Sequence, residues 1–236
     1  MGNFDRKFEV FWEELILNDG YKMVLEGLKN TVIIAVVGLI IGTVIGTLIA
    51  AVRVTPKYKM LPRVLNSICT VYVSFFRGTP MVVQLLLFYY VLFPLMGVHV
   101  SSVGVSILVF GLNSGAYISE IMRGGILSVD SGQMEGGRAM GLSFAATMMK
   151  IVIPQAVKNI LPTMGNEFIT LIKETSIVSF VGASDLYKAF NMMGTNSYEF
   201  MIPYLAMALV YIIMVMLITL FIKLLEGRLR KSDKSI

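Results

Sequence analysis

The sequence predicts an all-α, polytopic membrane protein, and three observations lead there. Of 236 residues, 56% are hydrophobic and 15% charged, whereas soluble domains sit near 45–50% and about 25%. The apolar residues gather into runs close to the roughly 20 residues that a helix needs to cross a bilayer. Lys and Arg concentrate between those runs, as they do in cytoplasmic loops.

The elements follow in chain order. Residues 1–30 read as an outer segment in which Phe4, Phe8, Phe11, Trp12 and Leu15 recur at helical spacing between charges, the pattern of a helix lying at a membrane surface. No apolar run precedes residue 31, so no removable signal peptide is expected and the first span is read as the insertion signal. Spans are predicted over about 31–52, 64–96, 101–122, 160–181 and 203–225. Arg77-Gly78-Thr79-Pro80 interrupts the second, which reads as one long helix bent at Pro80, where a backbone donor is missing. A loop over 123–159 joins spans three and four, and a basic tail covers 226–236.

Five spans place the termini on opposite sides. Thirteen Lys and Arg fall in residues 53–63, 123–158 and the tail, among them Lys57, Arg228, Arg230, Lys231 and Lys234, and five fall on the other side. Positive residues stay inside, so the N-terminus is expected outside and the C-terminus in the cytoplasm. The charge of +5 is thereby explained by topology, and with no aromatic-basic module no nucleic acid partner is implied.

Polar residues inside the spans carry the functional signal, since ionisable groups in a membrane mark a water-filled pathway or a paired interior. Thr163, Glu167, Thr170 and Glu174 lie within about 60° of one another on a helix, with Asn166 and Lys173 beside them. They line a translocation path, or Lys173 pairs with an acid on a neighbouring helix and the face is structural. Glu120 and Arg123, three apart, are expected to pair. Arg77 either caps carbonyls freed at the bend or meets an anionic group. His99 stands alone in an outer loop and reads as solvated, Cys69 as a small buried hydrophobe, and the 17 Met residues as packing. No P-loop, H-E-x-x-H or G-x-S-x-G occurs, so the chain is not read as an enzyme and no metal site is expected.

Glu135-Gly136-Gly137, three residues, Gly141, nine residues and Ile151-Val152-Ile153-Pro154 resemble the EAA motif of bacterial ABC importer permeases. Gly136-Gly137 replaces the usual Ala-Ala, which should loosen a short helix, since Gly costs up to about 1 kcal/mol relative to Ala. Ile153 replaces Leu. Arg77-Gly78-Thr79-Pro80 with Gln84, Ala116-Tyr117 with Glu120, Arg123-Gly124-Gly125-Ile126, Gly165-Asn166-Glu167-Phe168-Ile169 and Lys173-Glu174-Thr175-Ser176 are similar to the polar amino-acid branch, which includes glutamine, histidine and arginine permeases. The resemblance covers roughly 25–225. It implies the type I importer transmembrane fold in the bacterial inner membrane, with a second permease subunit, identical or not. Two cytoplasmic ATPase subunits holding ATP and Mg would dock on the 123–159 loop, and an external solute-binding protein would deliver the amino acid. The alternatives are a secondary transporter or channel without an ATPase, against which the odd number of spans stands, and an importer of another small solute such as an opine or peptide.

Overall fold

The computed structural model describes residues 3–56 and 58–231, with side chains described for 4–56 and 58–227. Lys57, Lys234 and the side chains of Arg228, Arg230 and Lys231, all part of the charge count, lie outside the described residues. Among the described residues eleven α-helices run α1 Asn3–Trp12, α2 Gly20–Val54, α3 Met60–Gly78, α4 Met81–Leu87, α5 Phe93–Leu95, α6 Ser102–Leu127, α7 Ser131–Ala139, α8 Phe144–Thr147, α9 Ile153–Glu174, α10 Leu186–Ser197 and α11 Met201–Lys231. Single π-turns join α4 to α5 and α8 to α9, and a 3-10 stretch, Thr175–Val181, ends α9.

The bundle is built on a close crossing of α2 and α6. Gly38, Gly42 and Gly46 of α2 lie under Phe110, Ser114 and Ile118 of α6, and Gly111 and Gly115 of α6 receive Ile41 and Ile45. A Cβ on Gly42 would stand 2.7 Å from that of Ser114. Both glycine series recur every four residues, which keeps them on one helix face and lets the backbones approach as in membrane helix pairs. The paired numbers rise together, so α2 and α6 run parallel. Helix α9 runs the other way, with Ile160 against Gly125 of α6. Helix α11 reverses again, with Ile222 filling the space over Gly165 of α9. The ends of α2 and α6 and the start of α9 therefore share one end of the bundle, which carries the 123–159 loop.

Three helices, α2, α6 and α11, are long and apolar enough to cross a membrane. The single bent span expected over 64–96 is corrected: α3 and the α4–α5 segment meet at 106°. Thr79 and Pro80 are both extended, because proline disfavours helical backbone in the residue before it as well as lacking an N–H. The chain breaks there instead of kinking. Helix α9 spans 153–174 and gives way to the 3-10 stretch, so the regular part of the expected 160–181 span is shifted toward the loop. Its polar residues keep it below the apolarity of the other three.

The opposite end is covered by α1 and α10. Phe11 is buried in the main core with Leu186, Phe190, Met193 and Ile202, while Phe4, Phe8 and Trp12 are exposed and the last two rings stack at 6.3 Å. Helix α1 is thus docked on the bundle by one edge. Lys7 pairs with Glu199 at 3.1 Å and its hydrogen bond holds the Glu199 carboxyl below the usual carboxylate range. Asp185 starts α10 by accepting from the backbone N–H of Tyr187 and Lys188, and Asn30 of α2 donates to the Ser184 carbonyl at 2.7 Å.

Candidate functional site

The EAA-like residues form a compact two-helix projection. Asp130 caps α7 by accepting from the Gly132 N–H, and Ser143 caps α8 by accepting from Ala146. Between them Gly141 adopts φ +85°. Leu142 N–H donates to the Gly137 carbonyl and Gly141 N–H to that of Arg138, the pair of bonds that closes a helix at a left-handed glycine. The glycine pair does not unravel α7, and the two positions differ. Gly136 has open space where a Cβ would stand, whereas at Gly137 that Cβ would meet Thr147 at 2.5 Å and Ile151 at 3.1 Å. Gly137 and Ile151 therefore hold α7 against the segment leading into α9. Glu135, Gly136, Gly141 and Pro154 are exposed, and Ile153 is half-buried. Met140, at the tip beside Gly141, is 85% exposed and was not singled out by the motif. The base is closed by Asn159 donating to the Ser128 hydroxyl at 2.9 Å and by Gln155 donating to Gln133 at 3.2 Å.

The polar stripe of α9 divides between two neighbours. Glu167 and Glu174 are half-buried and close enough for their carboxylates to repel, with Ser114 of α6 beside Glu167. The Ser114 hydroxyl is buried and turned toward the Glu167 carboxyl. Thr163 is exposed, and the Thr170 hydroxyl donates back to the Asn166 carbonyl. Lys173 faces away toward α11, where it borders a groove of 540 Å³ with Ser176, Tyr187, Met207 and Tyr211. Among the described residues Lys173 makes no ion pair with a neighbouring helix; the acid nearest to it in charge is Glu174, its own neighbour.

Arg77 does not cap the broken helix. Its guanidinium lies 5.2 Å from the centre of the Tyr117 ring, a cation–π distance. The freed carbonyls are met by Gln84, whose Nε2 donates to Phe76 O at 2.9 Å and Thr79 O at 3.0 Å, and by Asn113, which donates to Phe76 O and to the Gln84 Oε1. Two amides in an apolar sequence were the signal, because a buried amide needs partners. The Glu120–Arg123 pair is present at 2.7 Å, and Arg53 of α2 joins it. His99 is exposed, and Cys69 is half-buried against Ile49, Val73, Phe76 and Ala116. No metal-ligating group of three residues occurs among the described residues.

Comparisons with known proteins agree with this geometry. The arginine transport system permease protein ArtQ of Bacillus subtilis (strain 168) is 36% identical over 210 residues, covering 89% of this chain and 94% of that protein. The putative glutamine transport system permease protein GlnP of Rickettsia bellii (strain RML369-C) is 39% identical over 167 residues, covering 71% of this chain and 77% of that protein. A crystal structure described as an amino acid ABC transporter with histidines matches with TM-score 0.82 at 33% identity, over 91% of this chain and 97% of that one. An inward-facing MetNI methionine ABC transporter, at 20% identity and TM-score 0.73 over 88% and 96%, shares the fold. The family model for the binding-protein-dependent transport system inner membrane component matches residues 42–231, and the chain belongs to that family.

Proposed function

We propose that this chain is the membrane-spanning permease subunit of an ATP-driven amino-acid importer. The observation that carries the reading is its similarity to an arginine permease across nearly the full length of both proteins, together with a rigid projection at the end of the bundle where the EAA-like residues lie. ATP and Mg belong to separate ATPase subunits that take up Glu135, Met140 and Gly141, while Gly137, Ile151, Ile153 and Pro154 hold the projection in shape. The 123–159 end and the C-terminus are cytoplasmic, the α1 end is outer, and α2, α3 with α4–α5, α6, α9 and α11 make five passes. A second permease subunit completes the path, and an external binding protein supplies the solute.

Within the path, Glu167, Glu174 and the Ser114 hydroxyl beside Glu167 offer acceptors to an ammonium. An unpaired ion in low dielectric is costly, so a zwitterion needs such groups and a cation for its carboxylate, for which Arg77 is the candidate on this side and Lys173, which turns toward α11, would have to swing round. Thr163 and Thr170 extend the polar face. The test uses the assembled transporter in proteoliposomes with its binding protein. Glu135→Lys should leave the chain inserted but uncouple ATP hydrolysis from uptake. Glu167→Gln and Glu174→Gln should lose uptake or change solute preference with complex yield intact. Full uptake by all three variants would overturn the reading.

A further inference from the structure

The charged cluster at the loop end of α2 and α6 has no part in the path or the docking projection. Glu120 holds two guanidiniums: Arg123 donates Nε and Nη2 to its Oε2 at 3.1 and 2.7 Å, and Arg53 pairs with its Oε1. Both carboxylate oxygens are occupied, and the cluster keeps one positive charge in excess. A guanidinium carries five N–H donors. Most of those on Arg53 and Arg123 have no acceptor among the described residues. The two arginines face a cavity of 290 Å³ whose other walls are Asn66 and Thr70 of α3, with Val54 and Leu127 at its edge.

We propose that this cavity takes the phosphate of an anionic phospholipid, with the acyl chains leaving over Val54 and Leu127. The volume equals about ten waters at roughly 30 Å³ each, enough for a phosphate with part of its hydration. Planar guanidiniums match phosphate oxygens through paired N–H bonds, and Glu120 fixes their positions without cancelling both charges. The Asn66 amide supplies a neutral donor. The rim decides the source of the phosphate. Leu127, which is exposed, lines the cavity with Val54 of α2, which leaves an apolar edge beside a basic pocket at the ends of two membrane helices. That combination selects headgroups with a tail attached.

Native mass spectrometry of the intact transporter, released from nanodiscs of phosphatidylcholine with a minor share of phosphatidylglycerol, tests this. The wild type should retain phosphatidylglycerol in preference to phosphatidylcholine. Arg123→Gln should lower that retention roughly fivefold, the weight of one basic residue at an anionic surface. Asn66→Phe, which fills the cavity and leaves the charge cluster intact, should lower it as much, and it decides the matter if Arg123→Gln does not fold. Retention unchanged in the folded variants, or equal for both lipids, would overturn the site. Displacement by millimolar inorganic phosphate would overturn the lipid assignment in favour of a soluble anion.

Discussion

Gly141, Gly137 and Gly136 stand within six residues of one another and owe their identity to different causes. At φ +85° Gly141 occupies backbone space that other residues enter at a cost of about 1 kcal/mol, Asn less than most. Gly137 is set by the approach of Thr147, and Gly136 by nothing within reach. Gly136→Ala should therefore leave transport unchanged or raise thermal stability by up to about 1 kcal/mol. Gly137→Ala and Gly141→Ala should each lower ATP-coupled uptake, and Gly141→Asn should retain more of it than Gly141→Ala. Equal effects at all three positions would show that space and backbone angle do not decide them. Asp185 is another residue whose surroundings set its behaviour. It is fully buried, and burial pushes its carboxyl from 3.8 up to about 6 in spite of the two backbone N–H groups that it caps. A raised carboxyl pKa means that the folded state holds the proton more tightly, so the contribution to stability is present below the unfolded pKa and is lost as pH rises toward 6. Melting curves should show wild type losing stability relative to Asp185→Asn between pH 4 and 6, whereas Asp185→Ala, which lacks the cap and does not titrate, should lie about 1 kcal/mol below Asp185→Asn at every pH.

Helix α6 organises its neighbours through small residues. Gly125 lets Ile160 of α9 sit where a Cβ would be, while the adjacent Gly124 has open space. Gly125→Ala should destabilise the detergent-solubilised protein by about 1–3 kcal/mol through overpacking, and Gly124→Ala should not; the difference in melting midpoint measures it. Much of this level was legible in the sequence. The apolar runs located α2, α6 and α11, and the motif spacing located the two-helix projection of α7 and α8. The break between α3 and α4 was placed at the right residue but read as a bend, because a missing N–H predicts an interruption and says nothing of its angle. Of the two roles open to Arg77 in the sequence, the cap is performed by Gln84 and Asn113, since sequence distance does not reveal which way a side chain turns. Helix α10 was overlooked although Leu186, Ala189, Phe190 and Met193 carry helical spacing behind an Asp cap. The glycine series of α2 and α6 was also readable, and only the structure shows that each faces the other.

At the scale of the molecule, the apolar surface is distributed as a bilayer requires. Helix α11 exposes Leu205, Leu209, Ile212, Leu220 and Leu224, and α2 exposes Val36, Ile40, Val44 and Leu48, continuous stripes that water would not tolerate. On the five passes proposed above the termini would fall on opposite sides, so a phosphatase active only outside the cell, fused after Ile236, should stay silent; strong activity would reverse the sides. The base of the two-helix projection has a mechanical consequence. Its two struts, α6 and α9, are clamped at Gly125 and Ile160 and again at Ser128 and Asn159, and α6 is locked to α2 by interleaved glycines. A force applied at Met140 then cannot be absorbed by spreading the struts. It acts as torque on a handle, turning α2, α6 and α9 as one rigid lever whose pivots lie elsewhere, at the extended Thr79-Pro80 joint and in the turns before α10 and α11. Spin labels at Leu48 and Leu127 should accordingly keep one separation through the nucleotide cycle, while a label on α4 changes its distance from both.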